Sequence, residues 1–411
     1  MKVLIAHNAY QQRGGEDGAV EAETRLLQEH GHIVVRYERH NDELRNRSHL
    51  ATLAAGREAV WAARSFRELR ALIAREAPDI VHFHNTFPLI SPAAYYACAE
   101  AGVPVVQTLH NYRLLCPAAT FRRDGKVCEA CLGRSVPWPG VLHGCYRGSR
   151  SATAAAAAML AVHRAIGTWR EKVDVYVALT EFARRKFIEG GLPSERIVVK
   201  PNFVESDLGP KQGQGDYALF VGRLSEEKGL GVLLNAWGRL RELIPLRIVG
   251  DGPLREEIAG VIRTKKLKSV DLLGPLSRSE ITPVMHGARF LILPSVCYEN
   301  FPLAVAEAFA CGLSVIASRL GAMAEIIEDG ATGVHFSPGD PEDLARRVEW
   351  AWSHPHELRE MGRAARSEYE DKYTGARNYK QSMEIYERAV ERSSACASFA
   401  IREPSIDKAR G

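Results

Sequence analysis

The sequence predicts an α/β protein of two domains, each containing a parallel β-sheet. Short apolar runs such as VLIA, DIVHFHN and VDVYVALT alternate with longer amphipathic stretches, a pattern typical of strands joined by helices. The alternation stops once, over residues 202–216, where Pro, Gly and polar residues replace it, and it resumes with ALFVGR. The length of 411 residues also exceeds the roughly 100 to 200 residues of a single domain.

The breaks in this pattern set the expected domain boundaries. They divide the chain, in order, into a first domain (1–201) with an irregular insert (about 112–150), a linker (202–216), a second domain (217–365), helices that cross back to the first domain (366–392) and a disordered tail (393–411). The tail is expected to be disordered because it lacks hydrophobic periodicity and lies at a chain end.

The composition is typical of a globular protein. Hydrophobic residues make up 46% of the chain and charged residues 25%. The opening MKVLIAHNAY lacks the charged region, apolar stretch and cleavage site of a secretory signal. The longest apolar run, Ala154 to Val162, is about half of the roughly 20 residues that span a bilayer. We therefore expect a cytoplasmic protein.

Basic residues are concentrated in the insert. Residues 112–150 contain seven Lys and Arg but only two Asp and Glu. Such a cluster is either a solvated face or a contact surface for phosphate, anionic lipid or nucleic acid. Because no helix-turn-helix, zinc-finger or single-strand-binding signature accompanies it, nucleic acid is not an expected partner. The binding hypothesis that remains is peripheral docking to the inner face of the cytoplasmic membrane.

The ends of the predicted strands are where ligand-binding residues are expected, because open parallel sheets bind ligands beyond the carboxyl ends of their strands. In the second domain, Gly222 and Arg223 follow ALFV, Gly250 follows LRIV, and the turn Glu299 to Pro302 follows FLIL. Glycine, arginine and carboxylate side chains are thus expected along one edge of the sheet.

The turn after FLIL leads into an apolar helix and is expected to bind an anion. We expect Pro302 at the first helical position and Asn300 or a neighbour as the cap. Unpaired backbone N–H groups at such a helix start, together with the helix dipole, favour phosphate. Arg223 and Lys228, in the loop GRLSEEKG, are the expected cationic partners. The alternative is that the carboxylates of the turn only cap the helix or face solvent.

Several other classes of site are poorly supported. GDGP lacks the third glycine of G-x-G-x-x-G, and no G-x-x-x-x-G-K-[ST] loop occurs, which argues against dinucleotide cofactors and P-loop chemistry. No Asp-x-Asp pair occurs anywhere in the sequence. We therefore expect no catalytic metal.

Six strings of the sequence together resemble a known family: YENFPLAVAEAFACGLSVIAS, GRLSEEKGLGVLLNAW, VGDGPL, LTEFARRKF, KPNFV and DGATGVHFSPGDPEDLA. They are similar to retaining glycosyltransferases with two Rossmann-like domains facing a cleft (the GT-B fold), of glycosyltransferase family 4, group 1 type. The signature is a pair of glutamates, Glu299 and Glu307, separated by seven residues. The resemblance covers roughly residues 1 to 390.

The resemblance implies roles for most of these residues. Glu307 would bind the ribose hydroxyls of a nucleotide-sugar donor, and Glu299 would face the hydroxyls of the transferred sugar. Arg223 and Lys228 would neutralise the diphosphate. The backbone at the helix start would help to bind the phosphates and the sugar, through Asn300, Phe301, Pro302 and Leu303. The strand-end glycines Gly222 and Gly250 would line the donor site.

The first domain supplies further candidates by the same resemblance. The string RGGEDGA, from Arg13 to Ala19, matches a glycine-rich loop in which Gly14 and Gly15 let the backbone approach donor phosphate and acceptor. His110 matches a position near the donor sugar, with a merely hydrogen-bonded histidine as the alternative. We expect the side chains of His82 and His84 to lie on opposite faces of their strand, and that of His84 to line the site.

The implied activity is retaining, metal-independent sugar transfer from a UDP-, GDP- or ADP-sugar. The acceptor would be a hydroxyl of a glycan or of a lipid-diphosphate-linked sugar, in bacterial surface-polysaccharide synthesis. Where many relatives carry Gly-Gly-x-Pro-Glu, this chain has the segment Gly321 to Glu325 (GAMAE), so the donor sugar is not implied. The alternatives are a sugar phosphorylase or sugar-nucleotide epimerase on the same fold, and a non-catalytic scaffold.

Four of the eight cysteines lie close together in the sequence, at Cys116, Cys128, Cys131 and Cys145. The spacing Cys128-x-x-Cys131 is that of a zinc knuckle, and the outer two cysteines would complete a structural four-thiolate site. Separately buried thiols are the alternative. A redox pair is less favoured, because the cysteines do not open a helix after a strand.

Overall fold

The computed structural model describes residues 1–11, 14–44 and 56–400, with side chains to residue 395. Within these ranges both predicted sheets are present, and each is built of parallel strands flanked by helices. Arg13 of the glycine-rich string lies outside the described residues. So do residues 401–411 of the expected tail.

The first domain contains strands β1 to β8 in chain order. Their bounds are Lys2–Ala9, Ile33–His40, Ile80–Asn85, Val105–Thr108, Arg122–Arg123, Lys126–Val127, Val175–Ala178 and Ile197–Val199. The main sheet has the order β2-β1-β3-β4-β7-β8 with parallel pairing throughout, whereas β5 and β6 form a small antiparallel hairpin within the insert. The α-helices are Gly15–Glu29, Ala63–Glu76, Ala93–Ala101, Trp138–His143, Arg150–Ala165, Thr168–Glu171 and Glu181–Glu189.

The second domain contains strands β9 to β14. Their bounds are Tyr217–Val221, Leu246–Val249, Val270–Gly274, Ala288–Leu293, Val315–Ser318 and Gly333–Phe336, and the parallel sheet has the order β11-β10-β9-β12-β13-β14. The α-helices are Leu230–Trp237, Arg255–Thr264, Arg278–His286, Leu303–Ala310, Met323–Ile326, Pro341–Ser353 and Pro355–Lys372. The two sheets therefore confirm the predicted pair of Rossmann-like domains.

The order of the strands fixes where a ligand can bind. In the first sheet the chain reverses its direction of winding between β1 and β3, and in the second between β9 and β12. Loops that leave neighbouring strands on either side of such a point diverge to opposite faces, which opens a crevice beyond the carboxyl ends. The loops after β1 and β9 carry Gly14 and Gly222, so the glycines predicted from the sequence lie at these two points.

The last helix, Gly375–Ala400, packs on the first domain. Its Ile385, Tyr386 and Ala389 are buried against Val3 and Val106 of the first sheet. The helix also continues through residue 400, so the expectation of disorder from residue 393 was wrong for residues 393–400. Among the described residues, no helix combines the length and apolar character needed to cross a membrane.

A network of buried polar groups joins this helix to the first sheet. The Tyr386 hydroxyl lies 2.9 Å from Nδ1 of His82, and Lys200 Nζ lies 2.5 Å from a carboxylate oxygen of Glu23. The rings of His82 and His84 stack with centroids 4.3 Å apart. The expectation that the two histidines point to opposite faces was therefore wrong, because positions two apart on a strand share a face.

Burial controls the charge of these groups. It lowers the pKa of His82 to about 4 and that of His84 well below its ordinary value, so both rings are neutral at pH 7. Burial alone would raise the pKa of Glu23, but the charge and the hydrogen bond of Lys200, together with the neighbouring histidines, outweigh it and hold the pKa at about 2. The network therefore contains one ion pair among neutral histidines.

Acidification is expected to destabilise the protein through these histidines. In the unfolded chain a histidine takes up a proton near pH 6.5, whereas the folded protein keeps His82 neutral down to a pKa of about 4. Between these values the unfolded state binds more protons, so the free energy of unfolding falls as the pH drops. For His82 alone the loss is about 2 kcal/mol at pH 5. Urea unfolding curves recorded from pH 7 to pH 5 measure it.

The exposed His356 provides the matched control for this prediction. His82→Gln should reduce the dependence of stability on pH, and His356→Gln should leave it unchanged. An unchanged slope in His82→Gln would contradict the assignment of the acid sensitivity to the buried network.

Candidate active site

A cleft of about 840 Å³ lies between the two domains at the carboxyl ends of their strands. Seven of the residues predicted from the sequence line it: Gly14, Gly15, Gly222, Arg223, Gly250, Leu303 and Glu307. The structure thus brings together candidates from both domains. The remaining candidates, Glu299, Lys228, His110, Asn300, Phe301 and Pro302, lie outside this lining.

Two glycines form the floor of the cleft on the second domain. Gly250 has a φ of +139°, and a Cβ atom there would lie 1.9 Å from the carbonyl oxygen of Gly222. A side chain at position 250 would therefore separate the loops after β9 and β10. The glycines keep the backbone of both loops open to a ligand.

The first domain contributes the start of the helix Gly15–Glu29. The carboxylate of Asp17 accepts a hydrogen bond of 2.8 Å from the backbone N–H of Gly14 and lies 2.8 Å from Nε2 of His7. This pairing fixes the loop, and Gly14 and Gly15 face the cleft without side chains. Backbone N–H groups at a helix start are suited to bind anions.

Glu307 lies within the cleft on the helix Leu303–Ala310. Burial raises the pKa of its carboxyl group to about 7, and the positive charge of Arg278 opposes part of this effect. The carboxylate is therefore poorly solvated. A ligand that donates hydrogen bonds would supply the solvation that water does not.

Arg278 was missed by the sequence reasoning, although the same rule would have found it. It opens the helix Arg278–His286 shortly after strand β11, and it lines the cleft. Its guanidinium pairs with Glu205 of the linker, which also pairs with Arg25 of the first domain. This chain of charges joins the two domains along the cleft. The two arginines and the exposed Arg223 line the cleft together with four carboxylates, those of Glu21, Glu205, Asp251 and Glu307.

Glu299 and Lys228 form an ion pair beside the cleft. Lys228 Nζ lies 2.7 Å from Oε1 of Glu299, which also accepts a hydrogen bond of 2.6 Å from Ser295. Burial lowers the pKa of Lys228, but the adjacent carboxylate more than compensates and raises it above its ordinary value. The sequence reasoning placed the two side chains on different parts of a ligand. Here they contact each other.

The turn between Glu299 and the helix is held by the first domain. The side-chain amide of Asn300 donates to the backbone carbonyl of Leu109, so Asn300 does not cap the helix as expected. Pro302 is the residue before the first helical turn, one position earlier than predicted, and Phe301 is buried against Tyr373. Of the residues from Glu299 to Leu303, Leu303 is the one that lines the cleft.

His110 is half-buried at a small cavity and contacts the histidine network. Its Nε2 lies 2.8 Å from Nδ1 of His84, and burial lowers its pKa to about 3. The ring is therefore neutral. One wall of the adjacent small cavity is formed by Asn111, whose side-chain amide donates to Glu16 at 3.2 Å.

Glu16 is a second carboxyl group that sequence reasoning missed. It accepts hydrogen bonds from Tyr10 and Asn111, but its other oxygen, Oε1, is buried without a partner. Burial raises the pKa of this group to about 7. The signal available in the sequence was its place in RGGEDGA, where only the glycines were singled out.

The four clustered cysteines lie around one small cavity in the insert. A different set, Glu23, His82 and His84, is the one group in the described part of the chain whose candidate metal-ligating atoms all lie within 4.8 Å of one another. Lys200 already neutralises Glu23 in that group. None of the contacts described above for the cleft residues involves a metal ion at Glu23, His82 and His84.

Glu325, in the segment that departs from the family pattern, contacts the first domain. Its carboxylate accepts hydrogen bonds of 2.7 Å and 2.5 Å from the backbone N–H groups of Glu181 and Phe182. These groups open the helix Glu181–Glu189, so a residue of the second domain caps a helix of the first. The segment therefore stabilises the arrangement of the domains.

Comparison with known proteins agrees with this architecture. Two family models match the chain: "Glycosyltransferase Family 4" over residues 14–208 and "Glycosyl transferases group 1" over residues 206–368. An uncharacterized glycosyltransferase of Methanocaldococcus jannaschii is 28% identical over 176 residues, which make up 43% of this chain and 48% of that protein. The chain thus matches about half the length of that relative.

A longer match is to an alpha-maltose-1-phosphate synthase of Mycolicibacterium smegmatis, which is 27% identical over 331 residues, 76% of this chain and 80% of that protein. Among solved structures, Anabaena HepE in complex with UDP has a TM-score of 0.68 at 17% identity and covers 94% of this chain and 100% of that chain. The fold is therefore shared along almost the whole chain. Since the two family models meet at the linker and continue through both sheets, the chain belongs to the group 1 glycosyltransferases of the GT-B fold.

Proposed function

We propose that the protein transfers a sugar, with retention at the anomeric carbon, from a nucleotide-diphosphate donor to a hydroxyl group of a glycan or lipid-linked acceptor. The observation that carries the proposal is the interdomain cleft, where Glu307 and Arg223 share one lining with the glycine loops of both domains. The proposed pathway is bacterial surface-polysaccharide biosynthesis. Its support is the resemblance of the sequence motifs to enzymes of that kind.

The donor site is proposed along the second-domain wall of the cleft. Glu307, whose carboxylate is poorly solvated, would accept hydrogen bonds from the ribose hydroxyls. Arg223 and the backbone at Gly14, Gly15 and Leu303 would contact the diphosphate. Solved structures of the same fold, including Anabaena HepE, contain UDP or UDP-glucose, which supports a nucleotide-sugar donor here.

The proposed mechanism needs positioning and charge stabilisation more than an enzymatic nucleophile. The bond from the anomeric carbon to the diphosphate oxygen breaks, and the acceptor oxygen bonds to the same face of that carbon. The acceptor proton passes to an oxygen of the departing diphosphate. Cationic and N–H groups fixed before the reaction stabilise the negative charge that develops on this leaving group. Arg223 is proposed for this role, with Lys228 held next to the site by Glu299.

Metal independence follows from the proposed donor contacts. The sequence has no Asp-x-Asp pair to bring a divalent cation to the diphosphate. The cleft instead presents the guanidinium group of Arg223, next to those of Arg25 and Arg278, which pair with Glu205. We propose that these charges replace a metal in binding the donor.

The acceptor is proposed to reach the cleft from a membrane surface that the first domain contacts. Five large apolar side chains are exposed within 31 residues of the first domain: Val136, Trp138, Leu142, Val162 and Ile166. Arg134 stacks over Trp138, and its carbonyl accepts a hydrogen bond from Arg164, which connects the two groups of apolar residues. Apolar side chains next to arginines are suited to the interface of an anionic bilayer.

Nucleotide release from a panel of UDP-, GDP- and ADP-sugars tests the proposed activity. One donor should release nucleotide above background when incubated with purified protein and an acceptor extract. Arg223→Ala should lower kcat/KM by about 100-fold, because it removes a preorganised positive charge from the leaving group. Glu307→Ala should abolish saturable donor binding.

Arg263→Ala and Glu256→Ala are the matched controls, since both residues are exposed on the helix Arg255–Thr264, outside the cleft lining. They should release nucleotide at the wild-type rate. Absence of both release and binding for every donor would instead favour a non-catalytic scaffold.

Donor binding is expected to weaken at low pH because of Glu307. Its raised pKa of about 7 means that the empty site holds the protonated form below that value. A donor that needs the ionised carboxylate must displace the proton, so affinity should fall about tenfold per pH unit well below pH 7. Calorimetric titration with the donor identified by the panel measures this. Glu307→Gln should bind more weakly and lose the pH dependence; a retained dependence would contradict this role.

Vesicle binding tests the proposed membrane contact. Trp138 and Leu142 are each 53% exposed, so replacing both with Ala should reduce binding to phosphatidylglycerol-containing vesicles roughly tenfold by removing buried apolar area. The matched control is Leu243→Ala, since Leu243 is 81% exposed but lies on the second domain. Binding that is insensitive to anionic lipid and to salt would refute the contact.

A further inference from the structure

The insert of the first domain contains a cavity of about 10 Å³ lined by four thiols. Cys116 precedes the β5–β6 hairpin, Cys128 follows it, Cys131 comes three residues later, and Cys145 lies after the helix Trp138–His143. All four are free cysteines. The insert has little regular structure of its own. The four cysteines are spread over most of its length, from Cys116 to Cys145.

We propose that these four thiolates bind one structural zinc ion. Zinc prefers four-coordinate sites of Cys ligands with a short C-x-x-C knuckle, and Cys128 and Cys131 have that spacing. Binding exchanges four S–H bonds for four Zn–S bonds and releases four protons to solvent, with no change of oxidation state. The bound ion would cross-link four points of the insert, which stabilises a segment too small and irregular to form a hydrophobic core of its own.

The charges around the cavity complement such a site. Four thiolates and Zn²⁺ carry a net charge of about −2, and the same cavity is lined by the guanidinium groups of Arg122 and Arg123. The Nε atom of Arg122 is buried and has no hydrogen-bond acceptor. A thiolate sulfur of the zinc site would provide that acceptor. Each arginine also pairs with a carboxylate, Arg122 with Glu226 and Arg123 with Asp124.

The thiols must approach one another when the ion binds. No three of them meet the 4.8 Å limit that Glu23, His82 and His84 meet within the described chain. Zn–S bonds of about 2.3 Å in tetrahedral geometry hold sulfur atoms about 3.8 Å apart. Cys116 and Cys131 are buried, whereas Cys128 and Cys145 are only partly buried, so the proposed site requires the side chains of Cys128 and Cys145 to move toward the other two.

The insert contacts the second domain next to the proposed catalytic residues. Arg122 Nη1 lies 2.9 Å from Glu226, which precedes Lys228 by two residues. The hydroxyl of Tyr112 donates to the backbone carbonyl of Glu299 at 3.3 Å. The zinc site would therefore act as a positioning element, since it fixes the hairpin that carries Arg122 against the loop that carries Lys228.

Metal content of the full-length protein tests the proposal without any assay of transfer. After dialysis, the wild-type protein should contain about one zinc ion per chain by elemental analysis. Cys128→Ser/Cys131→Ser should contain none. Cys98→Ser should retain zinc, since Cys98 is buried on the helix Ala93–Ala101 outside the insert.

Cobalt substitution in the wild-type protein keeps the test decisive if the double variant fails to fold. Four-thiolate Co²⁺ should give intense thiolate-to-metal absorption and the visible bands of tetrahedral geometry. Absence of both zinc and cobalt binding, with four chelator-insensitive reactive thiols or a Cys128–Cys131 disulfide, would overturn the proposal.

Hydrogen exchange tests the positioning role separately. Removal of zinc by a chelator should speed amide exchange in the insert and in residues 226–228, while residues of the helix Pro341–Ser353 exchange as before. If zinc is bound but its removal leaves residues 226–228 unchanged, the ion stabilises the insert alone and the coupling to the second domain is refuted. A failure of the transferase proposal would leave all three measurements unaffected.

Discussion

Every strand of the two main sheets runs parallel to its neighbours, and the position of the cleft depends on this constraint. Parallel strands place all their carboxyl ends at one edge, so the loops that carry polar residues collect there. The two sheets face each other by these edges. Glycines at Gly14, Gly222 and Gly250 then keep the backbone close to the cleft, where larger side chains would fill it. The chemistry of the site is thus a consequence of topology combined with a few small residues.

The two domains are joined by aromatic contacts of Tyr298 with Phe121 and Phe182 and by pairs of polar groups. Glu325 satisfies helix N–H groups of the opposite domain, Glu205 links Arg25 to Arg278, and Leu109 accepts a hydrogen bond from Asn300. Polar contacts of this kind exchange readily with water, whereas a large apolar interface does not. They fix one relative orientation of the domains while leaving the cleft lined with solvated charge. The site therefore combines a defined geometry with access for a charged ligand.

The sequence predicted the architecture well because hydrophobic periodicity and turn composition are local properties. The same reasoning located Gly222, Arg223 and Gly250, since each directly follows a recognisable strand. It missed Arg278, which also follows a strand but begins a helix with an unremarkable composition. The failure at Asn300 has a different cause. Its side chain binds a carbonyl of the other domain, and such a partner is invisible to rules that consider only neighbours in sequence.

Ion pairing also limited what sequence alone could indicate. Glu299 and Lys228 are far apart in the chain, and each was assigned to the ligand separately, yet they lie 2.7 Å apart in the fold. The partial burial of Glu307 and Glu16, which raises the pKa of both carboxyl groups to about 7, likewise depends on tertiary packing. Motifs name the residues at a site, whereas their charge state is a property of the assembled structure.

The chain passes between the domains twice, once through the linker and once before its last helix. The two passages lie side by side: the N–H of Val204 donates to the carbonyl of Tyr373 at 2.9 Å, and Val204 pairs with Thr374 in an isolated parallel bridge. Two covalent connections at one place act as a single hinge. Opening of the cleft then reduces to rotation about this paired segment, and the torsional change is concentrated in a few residues on either side of it. Two connections at one place leave the domains fewer ways to move relative to each other than one flexible tether would.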